Sequence, residues 1–486
     1  MINISRIYRQ LGTVKKSALW FTACNMILKG VSLIFVPLFA FYLSDFEYGK
    51  LSVYHTFEQV FLILGTWEIS IGAFQRGYFK YRKDADVFRS ICILFSNAAA
   101  MVLAFAYFIF YAWLYPHTQI SLSLFVLMTV YYVVRPGYES WLTEKKICFD
   151  YKKAAAATLF YGILTVAVPF IGIRKIAGTA DIKFSLQLLC SVLFFLSFYI
   201  TGIKNGLGRM SWSKSRKYIG YILRYEPPLV FHSLSFLVLG SADRVMISEL
   251  AGNAQAGYYS IAGSLASVLN IVESSIAQVM TPWIYVKMDE EKYADIKKAV
   301  NFIAAVIALM VILFVLAAPE AVKILFKEEF HEAIWCIPPI AGSTYFIFLY
   351  SVYVCMETYF EVTKYIAYVS VGCAFINMIL NYFFIGIFGY IICGYTTLFS
   401  YILFSVLHYA VAKIECRKRK EHSLAVDSRF LSGTGLLFLC GMIAASVFYE
   451  YVIVRYSMIF TILFLIAAFR NKIIRHLKSL GIEIGT

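Results

Sequence analysis

Apolar and polar positions fall in long blocks along this chain, without the short alternation of a soluble fold. Fourteen apolar runs can be traced, at 18–41, 51–74, 87–113, 121–134, 154–173, 184–203, 219–240, 257–281, 300–318, 334–355, 365–384, 390–412, 430–448 and 457–469. A helix needs about 20 apolar residues to cross the hydrocarbon core of a bilayer. Each run therefore predicts a membrane-spanning helix, the fourth and the last being short for the task. The connections between them leave no room for a globular domain of ordinary size. The pattern predicts an all-α polytopic membrane protein with about fourteen transmembrane helices.

Composition agrees. The 486 residues are 60% hydrophobic and 15% charged, with mean hydropathy +0.72, whereas soluble domains carry roughly 25% charged residues. A soluble enzyme with one packed core is excluded. Net charge is +15, from 44 Lys and Arg against 29 Asp and Glu. On a soluble chain such an excess would point to nucleic acid, but here its distribution explains it. With a cytoplasmic N-terminal tail, 33 of the 44 basic residues fall in the two tails or at the exits of even-numbered helices, and seven (Lys50, Arg174, Lys175, Lys183, Lys323, Lys327 and Arg455) fall in the opposite loops. Basic residues are retained on the cytoplasmic side, so both termini are expected there and no nucleic-acid partner is expected. The basic N-terminus runs into the first apolar stretch without a small-residue cleavage site, which predicts a retained helix. Ten cysteines are scattered singly, without CxxC pairs or Cys/His clusters of metal-ligand spacing. They read as small buried hydrophobes, and no cofactor is expected beyond a coupling H⁺ or Na⁺.

An internal repeat is visible. The first helix ends in a turn reaching Gly49, and the seventh ends in one reaching Gly257-Tyr258, 208 residues later. Helices one and seven run the same way on the charge count, which predicts parallel six-helix repeats, a known transporter design. The expected division is 1–210 (helices one to six), 211–415 (helices seven to twelve) and 416–486 (helices thirteen and fourteen with a cytoplasmic tail).

Ionisable residues inside spans are functional candidates, because a charge at the bilayer centre costs at least about 2.5 kcal/mol. The first helix puts Lys29 on one face with Thr22, Asn25 and Ser32. The second places Glu58, Gly65, Glu68 and Gly72 on one face, and either glutamate could pair with Lys29. In the fourth, Arg135 and Glu139 flank Pro136-Gly137, and an interfacial ion pair is an equal reading. Arg224 precedes Pro227-Pro228 in the seventh and could snorkel to the interface. The eighth carries Ser260, Ser264, Ser267, Asn270 and Ser274 beside Glu273, a stripe that more often packs helices than lines a path. Several such faces together predict a central polar cavity.

The segment 241–262, with Asp243-Arg244, Gly252 and then Gly257-Tyr258 opening the next helix, resembles the bacterial lipid-linked oligosaccharide flippases, the Wzx-like polysaccharide exporters of the MOP superfamily. That resemblance implies a V-shaped, pseudo-twofold bundle of two lobes around a cationic cavity. It implies translocation of undecaprenyl-pyrophosphate-linked repeat units to the outer leaflet for O-antigen, capsule or exopolysaccharide. On this reading Lys29, Arg135 and Arg224 hold the pyrophosphate, and Thr22, Asn25, Ser32 and Asn270 line the cavity. Glu58, Glu68 or Glu273 couple the ion, and Asp243 and Arg244 form a gate or a helix-end clamp. Partners would be the lipid-linked oligosaccharide and membrane lipids, with a polysaccharide polymerase and a chain-length regulator. A bacterial inner membrane is the expected location. The rivals are a lipid II flippase and a MATE-type antiporter, whose cationic cargo Lys29 disfavours. A polytopic glycosyltransferase using Asp45 and Glu47, or a polymerase, would want a larger external loop than 319–333 provides. No catalytic constellation and no Walker-type loop occurs, so the expectation is a transporter and not an enzyme.

Overall fold

The computed structural model describes residues 13–70, 72–148, 150–360, 362, 364–418 and 426–479. Eleven of the fourteen apolar runs fall on one long helix each, and the second, third and seventh cross helix breaks. In chain order the α-helices are α1 (Thr13–Tyr42), α2 (Asp45–Thr66), α3 (Ala73–Lys80), α4 (Ala85–Ile109), α5 (Tyr111–Thr118), α6 (Leu122–Ile147), α7 (Tyr151–Lys175), α8 (Ala180–Leu207) and α9 (Trp212–Tyr225). They continue with α10 (Pro227–Leu250), α11 (Asn253–Asp289), α12 (Tyr293–Leu325), α13 (Ile337–Tyr359), α14 (Lys364–Phe388), α15 (Ile392–Lys418), α16 (Ser428–Val447) and α17 (Val452–Ser479). Nine helices among the described residues are long and apolar enough to cross a membrane, or eleven if each bent pair counts as one span. Fourteen of the helices have 20 residues or more. Of the five outside the nine, α6 and α10 belong to the bent pairs, and α1 and α17 contribute the shorter apolar stretches Met26–Tyr42 and Val452–Ala468.

Helix starts are set by side-chain caps. Ser44, Ser121, Thr179, Ser211 and Asp427 each accept a hydrogen bond from an N–H of the first turn, satisfying donors that have no partner within the helix. α10 closes on Gly252 at φ +115°, with the Ala251 and Gly252 N–H groups both donating to the Ile247 carbonyl. That conformation suits glycine.

The chain divides into two compact units, Met1–Gly257 and Tyr258–Thr486. In the first, α6 packs along α8, α1 and α8 flank α7, and α10 lies on α2. Gly137 lets α6 approach the backbone of Tyr199 on α8. In the second, α13 packs on α15, α15 on α14, and α16 on α12. Buried Asn377, Asn381, Thr396 and Thr397 bond to one another between α14 and α15, a use of polar groups as glue within a membrane. α17 is tied to α12 by Arg455, which grips Glu320 with both terminal nitrogens at 2.5 Å and reaches the Leu316 carbonyl at 3.0 Å. The sequence reading put Arg455 in an external loop, but its guanidinium is buried in a paired site.

The second apolar run is not one continuous helix. α2 stops at Thr66, Trp67 and Glu68 take left-handed φ values of 52° and 50°, and the helix resumes at Ala73 as α3. The Glu226 carboxylate fills the break: it accepts from the Ala73 N–H and lies where any side chain at Gly72 would stand. Glu58 and Gly65 do share a face of α2. Glu68 and Gly72 leave it, so the expected four-residue stripe is corrected to its first half.

Candidate functional site

The ionisable side chains of the first unit gather around α2. Glu58 is buried and its Oε2 lies 3.1 Å from Nδ1 of His55, one turn back on the same helix. On the other side of the imidazole, Lys183 Nζ lies 2.9 Å from His55 Nε2 and donates to Gln187 Oε1 at 2.7 Å. Lys183 is only 7% exposed and stands 5.3 Å above the ring of Phe39 from α1. Tyr132 of α6 donates to the Glu58 carbonyl at 3.2 Å. One turn further along α6, Arg135 Nε donates to Glu139 Oε1 at 2.6 Å and its guanidinium lies over Tyr131. Arg135 is close enough to act on the Glu58 charge, and Arg244 of α10 on His55. Lys183 and Arg135 thus both lie within reach of the Glu58 charge, while Arg135 also pairs with Glu139.

Lys29 takes no part in it. It sits midway along α1, exposed, with Ser32 exposed one turn on. Among the described residues Lys29 has no ion pair, and the expected partners are otherwise engaged, Glu58 by His55 and Glu68 by Ser233 Oγ at 2.6 Å. The pairing of Lys29 with a glutamate is therefore corrected. The side chains of Thr22 and Asn25 lie outside the described residues. Toward the C-terminus of α1 the face bearing Lys29 closes, with Ala40 and Leu43 fully buried. Ten residues, or about 15 Å of helix, separate Lys29 from Phe39, which covers Lys183. The unit thus presents an exposed cation midway along α1 and a buried one, Lys183, further along.

The remaining candidates are dispersed. Arg135 and Glu139 form the ion pair that was one of the two readings. Arg224 is exposed near the end of α9 without an ion pair among the described residues. Asp243 is buried, and Arg244 reaches Ser241 Oγ at 3.2 Å. In the second unit, Asn270 accepts from Thr344 at 2.9 Å and Glu273 from Ser351 at 3.2 Å, so part of the eighth helix's stripe serves packing between α11 and α13.

Sequence reasoning missed His55 and Lys183. Lys183 was counted as an external-loop lysine because it precedes the apolar run 184–203, yet Thr179 caps α8 early enough to fold it into the first turn. The signal was present: Thr179 precedes the run at the distance of a cap. His55 lies inside the second run and went unremarked beside the glutamates.

At the end of the bundle where α1 ends and α2 begins, the two repeat glycines meet. A Cβ at Gly49 would collide with the Asn253 carbonyl, and one at Gly257 with the Asp45 carbonyl and Gly49 N. The same corner is laced by Asn253 and Gln119, each donating to the other's amide oxygen, and by His117 against Glu249 at 2.6 Å.

Against known proteins, the chain matches the family described as polysaccharide biosynthesis protein over residues 14–288. Lsg locus putative protein 1 of Haemophilus influenzae is 22% identical over a region covering 57% of this chain and 68% of the relative. Among solved structures, the lipid II flippase MurJ in an inward closed conformation is similar at TM-score 0.63 and 13% identity, over 94% of this chain and 100% of that one. An inward-facing multidrug resistance MATE family transporter of the MOP superfamily is similar at TM-score 0.55 and 15% identity, over 84% and 96%. At such identities the likeness is one of fold.

Proposed function

The chain belongs to the polysaccharide biosynthesis protein family, and we propose that it is a flippase moving undecaprenyl-pyrophosphate-linked oligosaccharides from the inner to the outer leaflet of a bacterial cell membrane. It is a multi-pass helical membrane protein with the fold of MOP-type transporters. O-antigen, capsule or exopolysaccharide assembly would consume the product.

Lys29 carries the reading. An exposed ammonium at mid-helix, with no ion pair among the described residues, costs at least about 2.5 kcal/mol in hydrocarbon. An anionic cargo removes that cost. A pyrophosphate suits it, with Lys29 as a point charge and Arg135 and Arg224 able to meet phosphate oxygens in pairs. Buried Lys183, beside the C-terminal part of α1, supports the same reading as positive charge further along the helix. A cytoplasm-negative potential favours the outward step by about 2.3 kcal/mol per charge per 100 mV.

Vesicles containing the purified chain should expose a lipid-linked oligosaccharide of the opposite leaflet to an external pyrophosphatase faster than protein-free vesicles do. Equal rates would overturn the proposal. Rescue of cells depleted of their lipid II flippase would move the assignment to that cargo.

Orientation gives a second expectation. Reporter fusions at Arg82, Arg417 and both termini should read as cytoplasmic, and fusions at Gly252 and Pro319 as external. An external Arg417 would reverse the assignment, because its connection carries six of the 33 basic residues counted inside.

A further inference from the structure

The carboxylates named above for ion coupling each have a hydroxyl or imidazole partner. A different ionisable pair lies deep in the second unit. Glu357 of α13 and His408 of α15 are both 0% exposed, and His408 Nδ1 lies 2.8 Å from Glu357 Oε1. The other polar atom of each, Glu357 Oε2 and His408 Nε2, has no hydrogen-bond partner among the described residues. The imidazole is walled by aromatic rings, Phe404 edge-on at 4.5 Å and Tyr350 at 6.2 Å.

A purely structural contact is poorly served by this arrangement. Two orphaned polar atoms in an apolar pocket are costly, and apolar side chains of the same volume commonly stabilise such sites as well or better. The charge state is also constrained. Carboxylate with imidazolium, or carboxyl with imidazole, is neutral overall. Loss of one proton leaves a net negative charge in a dry pocket. No counter-charge is at hand to hold it. Among the described residues no ion pair reaches either group from α12, α14 or α16. On α11 Glu273 is held by Ser351 of α13, and Asp289 accepts from Tyr359, two residues beyond Glu357. Along α15, Lys413 lies over Tyr409 and Glu415 pairs with Lys418.

The pair also lies close to one end of the bundle. Glu357 is two residues from the end of α13, and His408 ten residues from the end of α15, or about 15 Å. That end carries Lys413, Arg417 and Lys418, which the charge distribution assigns to the cytoplasm. Water reaching the pair from there would let a proton leave.

Resting on the flippase reading above, we propose that Glu357 and His408 form a proton-binding site that loads and releases one proton in each transport cycle. Loaded, the pair is a carboxylate and an imidazolium sharing a proton between Oε1 and Nδ1, with no net charge. Unloading transfers one proton to water at the basic end and leaves a carboxylate and a neutral imidazole. Reloading takes one proton from water and restores the neutral pair before the pocket dries.

The test uses the full chain in vesicles loaded with a pH-sensitive dye and given an undecaprenyl-pyrophosphate oligosaccharide. Lipid translocation is read by pyrophosphatase access and proton entry by the dye, in the same vesicles. Wild type should couple the two. E357Q and H408Q should lose proton entry to the protein-free level and lose the response of translocation to an imposed pH gradient. Absence of translocation in wild type would refute the flippase reading. Translocation without proton entry in wild type, driven by a sodium gradient, or proton entry unchanged in both variants, would overturn this site while leaving that reading intact. If the single variants fail to fold, the exchange E357H/H408E keeps both groups. It should retain proton entry, and a folded exchange variant that translocates lipid without it overturns the proposal.

Discussion

Replacing Lys29 with alanine should abolish surface polysaccharide in cells that depend on this chain, while leaving the protein inserted and abundant. Both halves follow from its surroundings. Removing a lysine from mid-helix makes α1 easier to insert, since Lys is among the residues most costly to place there. Nothing within the fold loses a partner either, because Lys29 has no ion pair among the described residues. Only cargo is left to miss it. Arginine at this position should restore part of the export, having the charge but a broader head, and glutamate should restore none. The companion test is K29A with E58A. Were Lys29 present only to neutralise Glu58, the double variant would recover. It should not, because Glu58 is already met by His55 and lies within reach of Arg135 and Lys183. Quantifying surface polysaccharide beside membrane-protein level decides the matter, and recovery in the double variant would remove Lys29 from the cargo site.

The second large effect is expected at Gly49. Alanine there would drive a methyl into the Asn253 carbonyl, and alanine at Gly257 would meet the Asp45 carbonyl and Gly49 N. Overpacking typically costs 1–3 kcal/mol where side chains can shift. Here backbone faces backbone, so about 3 kcal/mol or more is expected, seen as a sharp loss of purified protein and a lower Tm in detergent. G220A is the control. A Cβ at Gly220 on α9 meets nothing within 4 Å, and alanine in an exposed helical site should be neutral or stabilising by roughly 1 kcal/mol. Equal melting of G49A and wild type would mean that this corner opens freely in the resting protein.

Apolar run length was enough to locate the long helices approximately, because a bilayer dictates that length. What it could not supply was the break after Thr66. Trp67 and Glu68 are not turn formers, and the conformation is sustained by Glu226, more than 150 residues away in sequence. The repeat of turn glycines was legible as a spacing of 208 residues, although their mutual contact was not. The site shows the same division. An intramembrane charge is visible in a sequence, so Lys29, Glu58 and Arg135 were found. Which charges neutralise one another depends on helix rotation and cap position, and for that reason Lys183 was taken for a loop residue and a pairing of Lys29 with Glu58 or Glu68 stayed open. His408 lies inside an apolar run and was legible in principle. Its meaning depends on Glu357, which falls just beyond the end of another.

The meeting of Gly49 and Gly257 also bears on how relatives of this chain are recognised. The closure is made of main-chain atoms on both sides, and main-chain atoms are identical in every protein. A substitution elsewhere in the corner neither improves nor spoils that contact directly, so divergence can erase the surrounding side chains while the closure persists. Two homologues separated to 22% identity could keep it and leave a similarity search only two letters to detect, 208 positions apart. For such an architecture, ancestry is written in where side chains are missing.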